Sequence, residues 1–136
     1  MAGGPVLDSY ALLAFLRGEA GEARVTELLE RAGERDEPLH MTEANYAEVK
    51  YITVRKVGGE RWEEIARELR ALPIEFHSID RGLADIAGDI KARHTLSLAD
   101  AFAAALAKAR KAELVTGDSE FAALEKEIEI VWLGRT

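Results

Sequence analysis

The sequence predicts an α/β domain in which a central parallel sheet is covered by helices on both faces, a three-layer α/β/α sandwich. Short apolar runs, with the length of buried strands, alternate with longer segments of helical period, and Gly58, Gly59 and Pro73 interrupt that pattern. Parallel neighbours need crossover connections, so strands that alternate with helices favour this architecture. At 136 residues the chain has the size of one domain, spanning residues 1–136.

Five runs are predicted as strands: Pro5–Leu7, Leu39–Met41, Ile74–His77, Leu114–Thr116 and Ile128–Leu133. A first helix is expected from Tyr10 to Arg17, with Asp8 or Ser9 as its N-cap. Two more segments, Arg17–Arg35 and Arg61–Leu72, have an amphipathic pattern with heavily charged outer faces. These elements supply the helical layers of the sandwich.

Composition narrows the chemistry that the chain can perform. With no cysteine, the chain can form neither disulfides nor zinc–thiolate sites, and catalysis by a thiol is excluded. No apolar run approaches the roughly 20 residues of a membrane span, and the leader "MAGG" has no secretory pattern, so a cytoplasmic location is expected. A formal charge of −7 argues against a protein that grips nucleic acid through bulk positive charge.

Acidic residues interrupt apolar stretches at four places. Asp8 lies between a strand-like run and a helix-like run in "VLDSYALLAFL". Asp118 follows another short strand in "LVTGDSEF", and each of these two acids could be an ordinary N-cap. Both also lie just past the carboxyl end of a predicted strand, which is the edge where open α/β sheets bind ligands.

The other two acids belong to predicted helices. With Thr42 as N-cap, helical periodicity puts Glu48 in a stripe that is expected to pack inward with Ala44, Ala47, Tyr51 and Ile52. A partly exposed Glu48, or one paired with an arginine, is the simpler alternative. Asp100 is the only ionisable residue in "LSLADAFAAALA", where a capping box with Ser97 is the alternative to a functional role.

A cluster of these four carboxylates would require a cation. Acids gathered in one cleft repel each other unless a divalent ion neutralises them, and a site made only of oxygen ligands suits Mg²⁺ or Mn²⁺. His40 and His77 lie in or beside predicted strands and are expected to pack there, since no zinc-binding H-E-x-x-H spacing exists. The basic group Lys91, Arg93 and His94 is expected to end a helix, with contact to phosphate as the alternative.

The order Asp8, Glu48, Asp100, Asp118 resembles that of the PIN-domain nucleases, especially the VapC-type toxins of bacterial and archaeal toxin–antitoxin modules. The resemblance rests on "VLDSYALLAFL", "NYAEVKY", "SLADAFAAALA" and "LVTGDSEF", and it covers almost the whole chain. It implies a single PIN-like domain, with the four acids as catalytic and metal-binding residues and with Ser9 and Thr116 as supporting or substrate-binding groups.

The resemblance further implies a Mg²⁺- or Mn²⁺-dependent endoribonuclease in which a metal-activated water hydrolyses RNA. It also implies a homodimer and a cognate antitoxin, similar to VapB, that blocks the site. Local neutralisation of phosphate by the metal would reconcile RNA cleavage with the acidic charge of the chain. A PIN-like domain without activity, acting as a binding or scaffolding partner, is the alternative.

Overall fold

A computed structural model describes residues 3–134 of the chain. Five strands form one sheet in the order β3-β2-β1-β4-β5, and every pair of neighbours is parallel. The strands are β1 (Val6–Leu7), β2 (Leu39–Thr42), β3 (Ile74–His77), β4 (Leu114–Thr116) and β5 (Ile130–Trp132). The predicted parallel sheet is therefore confirmed, and each strand lies at a predicted run.

Six α-helices and one 3₁₀ helix connect the strands in the described part of the chain. They are α1 (Ser9–Arg17), α2 (Glu22–Arg35), α3 (Glu43–Val57), α4 (Gly59–Arg70), α5 (Arg81–Arg93), α6 (Leu98–Arg110) and the 3₁₀ helix Ser119–Leu124. None of the helices in residues 3–134 combines the length and the apolar character needed to cross a membrane.

The two faces of the sheet are covered by different helices, which confirms the three layers. Val6 and Leu114 pack with α5 and α6 in one apolar cluster. Their chain neighbours Leu7 and Val115 point to the opposite face, where α1 and α2 cover them. On the same side, Met41 packs against α3 and α4. Alternation along β1 and β4 thus buries both faces of the sheet.

Two expectations about helices are wrong. The segment Arg17–Arg35 is helical only from Glu22: α1 ends at Arg17, as predicted, Gly18 adopts a left-handed conformation with φ of 64°, and α2 begins at Glu22. In α3 the buried positions are Asn45, Val49 and Thr53. The predicted inward stripe lies instead at the margin and on the surface: Ala47 and Tyr51 are exposed, while Ala44, Glu48 and Ile52 are half-buried.

Candidate active site

The register of the central strands brings Asp8 and Thr116 side by side. Val6 pairs with Leu114 and Leu7 pairs with Val115. Asp8, which follows β1, is therefore level with Thr116, the last residue of β4. The backbone N–H of Asp8 donates to the carbonyl of Val115 at 3.3 Å, which continues the ladder by one bond. Both side chains therefore lie at the carboxyl edge of the sheet, the edge at which ligands bind in open α/β sheets.

Asp8 is both a helix cap and a member of this site. One carboxylate oxygen accepts the backbone N–H of Ala11 at 2.8 Å, which caps α1. The other oxygen accepts the hydroxyl of Thr116. Asp8 is only 1% exposed. Burial, together with the charges of Asp100 and Asp118, raises its pKa to about 7 despite these two hydrogen bonds.

Thr116 links the carboxylates that follow β1 and β4. Its hydroxyl donates to Asp8 and accepts the backbone N–H of Asp118 at 3.0 Å. Asp118 in turn accepts the backbone N–H of Glu120 at 2.9 Å, which begins the 3₁₀ helix. Capping thus accounts for one oxygen of Asp118, as it does for one oxygen of Asp8.

Asp100 lies in the first turn of α6 but does not cap it. The cap is Ser97, whose hydroxyl oxygen accepts the backbone N–H of Asp100 at 3.1 Å. Burial raises the pKa of the Asp100 carboxyl to about 6, and the nearby charges of Asp118, Glu48 and Glu120 contribute to that rise. The bond from its backbone N–H to Ser97 is one half of the predicted capping box, and a side-chain hydrogen bond with Ser97 acts against the rise in pKa, so the capping alternative is supported in part.

The carboxylates at this edge fit a divalent cation. Asp100, Asp118 and Glu120 each offer an oxygen, and these three oxygens lie within 4.8 Å of one another. Asp8 is close enough to Asp100 and Asp118 for their charges to raise its pKa. A cation among them would offset the repulsion and the burial that now oppose ionisation, and the all-oxygen donor set is the kind that Mg²⁺ and Mn²⁺ prefer.

Of the four acids predicted from the sequence, Asp100 and Asp118 belong to the group of three whose oxygens lie within 4.8 Å of one another. Asp8, Asp100 and Asp118 act on one another electrostatically. Glu48 is half-buried on α3, and its charge acts on Asp100. Glu120, which the sequence analysis did not single out, is the third acid whose oxygen lies within 4.8 Å of those of Asp100 and Asp118. Its only signal is its position two residues after Asp118, at the start of the 3₁₀ helix.

Asn45 is a second residue that the sequence analysis did not assign to the site. Its side-chain amide donates to the Ser9 hydroxyl at 3.0 Å and to the carbonyl of Ala99 at 3.1 Å. Its amide oxygen accepts the Thr42 hydroxyl, and its backbone N–H donates to the same hydroxyl at 3.0 Å. This fully buried side chain joins the N-terminal turns of α1, α3 and α6, the helices that carry three of the acids. Ser9 is therefore joined to α3 and α6 through Asn45.

Gly117 allows the loop after β4 to approach Tyr10. A Cβ atom at position 117 would lie 2.2 Å from a carbon of the Tyr10 ring, so no side chain fits there unless the ring moves. Tyr10 itself is 41% exposed beside the buried Asp8. The Thr116–Gly117–Asp118 segment thus combines a buried hydroxyl, a close backbone approach and a carboxylate.

The basic group Lys91, Arg93 and His94 lies at the end of α5, as expected. Lys91 donates to the carbonyl of Leu96 at 2.8 Å. Arg93 and His94 both bind the carboxylate of Glu127 at 3.1 Å. These contacts account for the group. Hydrogen bonds from Arg93, Lys108 and His94 hold the pKa of Glu127 well below its ordinary value. The alternative of a phosphate-binding role has no support in the structure.

Comparison with known proteins supports the same fold. The family model described as the PIN domain matches residues 6–127. A DNA-bound VapBC complex from Salmonella typhimurium contains a chain that is 19% identical, with a TM-score of 0.75 and coverage of 94% of this chain and 96% of that chain.

VapC20 of Mycobacterium tuberculosis, described as a sarcin–ricin loop cleaving toxin, is also 19% identical, with a TM-score of 0.65 and coverage of 88% and 94% of the two chains. A toxin–antitoxin complex from Klebsiella pneumoniae shares 19% identity, with a TM-score of 0.70 and coverage of 94% and 96%. A comparison with curated protein sequences found no match.

Proposed function

Because the chain belongs to the PIN-domain family, we propose that it is a divalent-metal-dependent endoribonuclease and the toxin of a VapBC toxin–antitoxin module. The observation that carries this proposal is the set of carboxylates at the sheet edge, two of which, Asp8 and Asp100, have pKa values raised by burial and by the charges of neighbouring carboxylates. Carboxylates whose pKa values are perturbed by burial and by neighbouring charges are typical of functional sites.

Asp8, Asp100 and Asp118 would hold a Mg²⁺ or Mn²⁺ ion. Glu120, whose oxygen lies within 4.8 Å of those of Asp100 and Asp118, would complete its ligands, and Glu48 would contribute directly or through water. When bound, the ion would activate the attacking water and stabilise the charge that grows on the phosphate. Thr116 fixes the orientation of Asp8 and of the Asp118 backbone. Asn45 fixes the position of the Ser9 hydroxyl. No nucleophile from the protein is needed, because the attacking group would be the activated water.

An antitoxin partner is part of the same proposal, and the similarity to chains of VapBC complexes supports it. A cluster of carboxylates is complementary to a guanidinium group, so we propose that the partner inserts an arginine or lysine at the acidic edge. We also propose, as the sequence predicts, that the chain forms a homodimer, that residues 1–136 form a single domain and that the protein is cytoplasmic. Light scattering of the purified chain measures its oligomeric state.

Cleavage of a single-stranded or loop RNA by the purified, partner-free chain tests the proposal. We expect cleavage with Mg²⁺ or Mn²⁺, loss of cleavage in EDTA, and a loss of at least about 100-fold in Asp100→Asn, because even groups behind a metal ligand are worth roughly 10- to 100-fold. The control is Asp85→Asn, which neutralises an exposed acid on α5. Addition of the product of the neighbouring gene should suppress the activity.

The possible outcomes separate the candidate functions. Cleavage that is unchanged in EDTA contradicts the metal-dependent mechanism. No cleavage by a folded wild type, under conditions that also show no binding of Mg²⁺, supports the alternative of an inactive binding or scaffolding domain. Cleavage without any effect of the neighbouring gene product keeps the nuclease and contradicts the proposed partner.

A further inference from the structure

A second group of metal-ligating side chains lies on strands β2 and β3, and it shares no residue with the acidic cluster. His40 pairs with Glu75 across the two strands, and His77 follows Glu75 on the same face of β3. His40 is also in register with Val6, whose side chain packs towards α5 and α6. The three polar side chains therefore lie on the face of the sheet that these two helices cover.

The ligand atoms of this group are already close together. His40 Nδ1 lies 2.8 Å from His77 Nε2. A carboxylate oxygen of Glu75 lies 3.2 Å from that His77 nitrogen and 3.9 Å from the His40 nitrogen. In a tetrahedral site with zinc–ligand bonds near 2 Å, two ligands lie about 3.3 Å apart. The three observed separations bracket that value, so small side-chain movements would place all three atoms around one ion.

The exposure of the three side chains allows a metal ion to reach them from solvent. The His40 side chain is 4% exposed, His77 is 20% exposed and Glu75 is 56% exposed. The buried imidazole is thus fixed in place, while the carboxylate of the edge strand faces water. Burial also keeps the histidines in their neutral form, since it lowers the pKa of His40 to about 4 and lowers that of His77. Neutral imidazole is the form that ligates a metal.

We propose that His40, Glu75 and His77 form a binding site for a divalent transition-metal ion such as Zn²⁺, with two imidazole nitrogens and one carboxylate as protein ligands. Nitrogen ligands favour ions late in the first transition row over Mg²⁺, so this site differs in preference from the all-oxygen cluster. An ion there joins the edge strand β3 to β2 through side chains, in addition to the backbone ladder.

Two features limit the affinity of this site. The positive charge of Arg110, at the end of α6, acts on both histidines and opposes a cation. In the metal-free protein, the contact between His40 and His77 is also a hydrogen bond that the ion must replace. Removal of the Arg110 charge is therefore expected to tighten binding of the ion. A variant at this position tests the proposal by an increase in affinity.

Titration with Zn²⁺ in the Asp100→Asn/Asp118→Asn background tests this proposal, because that background removes two ligands of the acidic cluster. Calorimetry, or competition with a chromophoric chelator, should show one equivalent of bound Zn²⁺. Adding His77→Ala or Glu75→Ala should each weaken binding by more than about tenfold, since loss of a group behind a metal ligand already costs that much. Adding Arg110→Met should strengthen binding.

The control is His94→Ala, which removes the remaining histidine of the chain and leaves the proposed ligands in place. It should bind Zn²⁺ as the background does. The ¹⁵N resonances of the imidazoles report the ligands directly: Zn²⁺ should shift those of His40 and His77 and leave those of His94 unchanged. No binding up to 100-fold molar excess, or equal losses in His77→Ala and His94→Ala, would overturn the proposal, and neither result bears on RNA cleavage.

Discussion

At the scale of single residues, one carboxylate can both cap a helix and lie in the cluster of acids at the sheet edge. Asp8 caps α1 with one oxygen and faces Thr116 with the other. Asp118 combines a cap with the acidic cluster in the same way. Asp100 donates its backbone N–H to the capping Ser97, as in a capping box. Capping interactions therefore involve all three of these acids, and they exclude none of them from the acidic cluster.

Thr116 is the residue whose hydroxyl most directly links two of these acids, and we predict that its removal impairs both stability and cleavage. Thr116→Val keeps the shape of the side chain but deletes a donor to Asp8 and an acceptor for the Asp118 N–H. We expect a cost of about 1 to 3 kcal/mol in unfolding free energy, because buried polar groups lose their partners. We also expect slower cleavage.

Thr116→Ser is the matched control, since it keeps the hydroxyl. Denaturant unfolding and the RNA cleavage assay should show that Ser restores most of both properties. Equal cleavage by Thr116→Val and the wild type would contradict the role of this hydroxyl in positioning Asp8.

Some acids of the candidate site could be predicted from the sequence, and one could not. Asp8, Asp100 and Asp118 could be predicted because each stands out in an apolar stretch. Glu120 could not, because an acid in the first turn of a helix is an ordinary dipole partner. Only the distance between Glu120 and the other carboxylates, which depends on how the 3₁₀ helix is oriented, identifies it.

At the scale of elements, α3 shows why its buried face was predicted wrongly. Hydrophobic periodicity favoured a stripe through Ala47 and Tyr51, but the helix buries Asn45, Val49 and Thr53, two of which are polar. Asn45 can be buried because every polar atom of its side chain has a partner on α1, on α6 or at Thr42. Those partners are far apart in the chain, so no local pattern predicts them.

The strands, in contrast, could be predicted almost to the residue. Runs such as Leu114–Thr116 are buried on both faces of the sheet and have no alternation that competes with their apolar character. Short loops and breakers such as Pro73 fix their limits. The end of α1 at Arg17 was also predicted correctly, but the start of α2 at Glu22 was not, because the helical pattern begins before it.

Asn45 is therefore predicted to hold the helix ends of the site together. Asn45→Ala should destabilise the protein by roughly 2 to 4 kcal/mol, because it leaves the carbonyl of Ala99 and the hydroxyls of Ser9 and Thr42 with fewer partners. Lys50→Ala, at an exposed position of the same helix, should change stability by less than about 0.5 kcal/mol. Chemical denaturation measures both, and equal stability of the two variants would contradict the proposed link.

At the scale of the whole molecule, the chain has a formal charge of −7 and still gathers several carboxylates at one edge. The cost is local, since burial and the charges of neighbouring carboxylates raise the pKa values of Asp8 and Asp100. The rest of the charge is spread over helix surfaces, where ion pairs such as Arg24–Glu27 are exposed and contribute little. Acidity of the whole chain therefore does not oppose RNA cleavage if a cation bound at the edge neutralises phosphate there.

The stability of the metal-free protein should reflect this local cost through its dependence on pH. A carboxyl with an ordinary pKa of 3.8 when unfolded, and of about 7 at Asp8 or about 6 at Asp100 when folded, favours the folded state in its protonated form. That stabilisation is complete below about pH 4 and is lost as pH rises towards 7. The histidines His40 and His77 act in the opposite sense, because their lowered pKa values cost stability as pH falls.

Comparison with Asp8→Asn separates these contributions, since the variant keeps the histidines but has no carboxyl to ionise at position 8. In EDTA, we expect the wild type to lose roughly 2 to 4 kcal/mol relative to Asp8→Asn between pH 4.5 and pH 7.5, which corresponds to the rise in the pKa of Asp8. With Mg²⁺ at pH 7.5, the wild type should regain stability and the variant should gain less, because a bound ion stabilises the folded state in proportion to its affinity. Thermal and denaturant unfolding measure both differences, with Asp85→Asn expected to follow the wild type throughout. Parallel pH profiles for the wild type and Asp8→Asn, together with no effect of Mg²⁺ on either, would show that the carboxylates at this edge do not form a metal site.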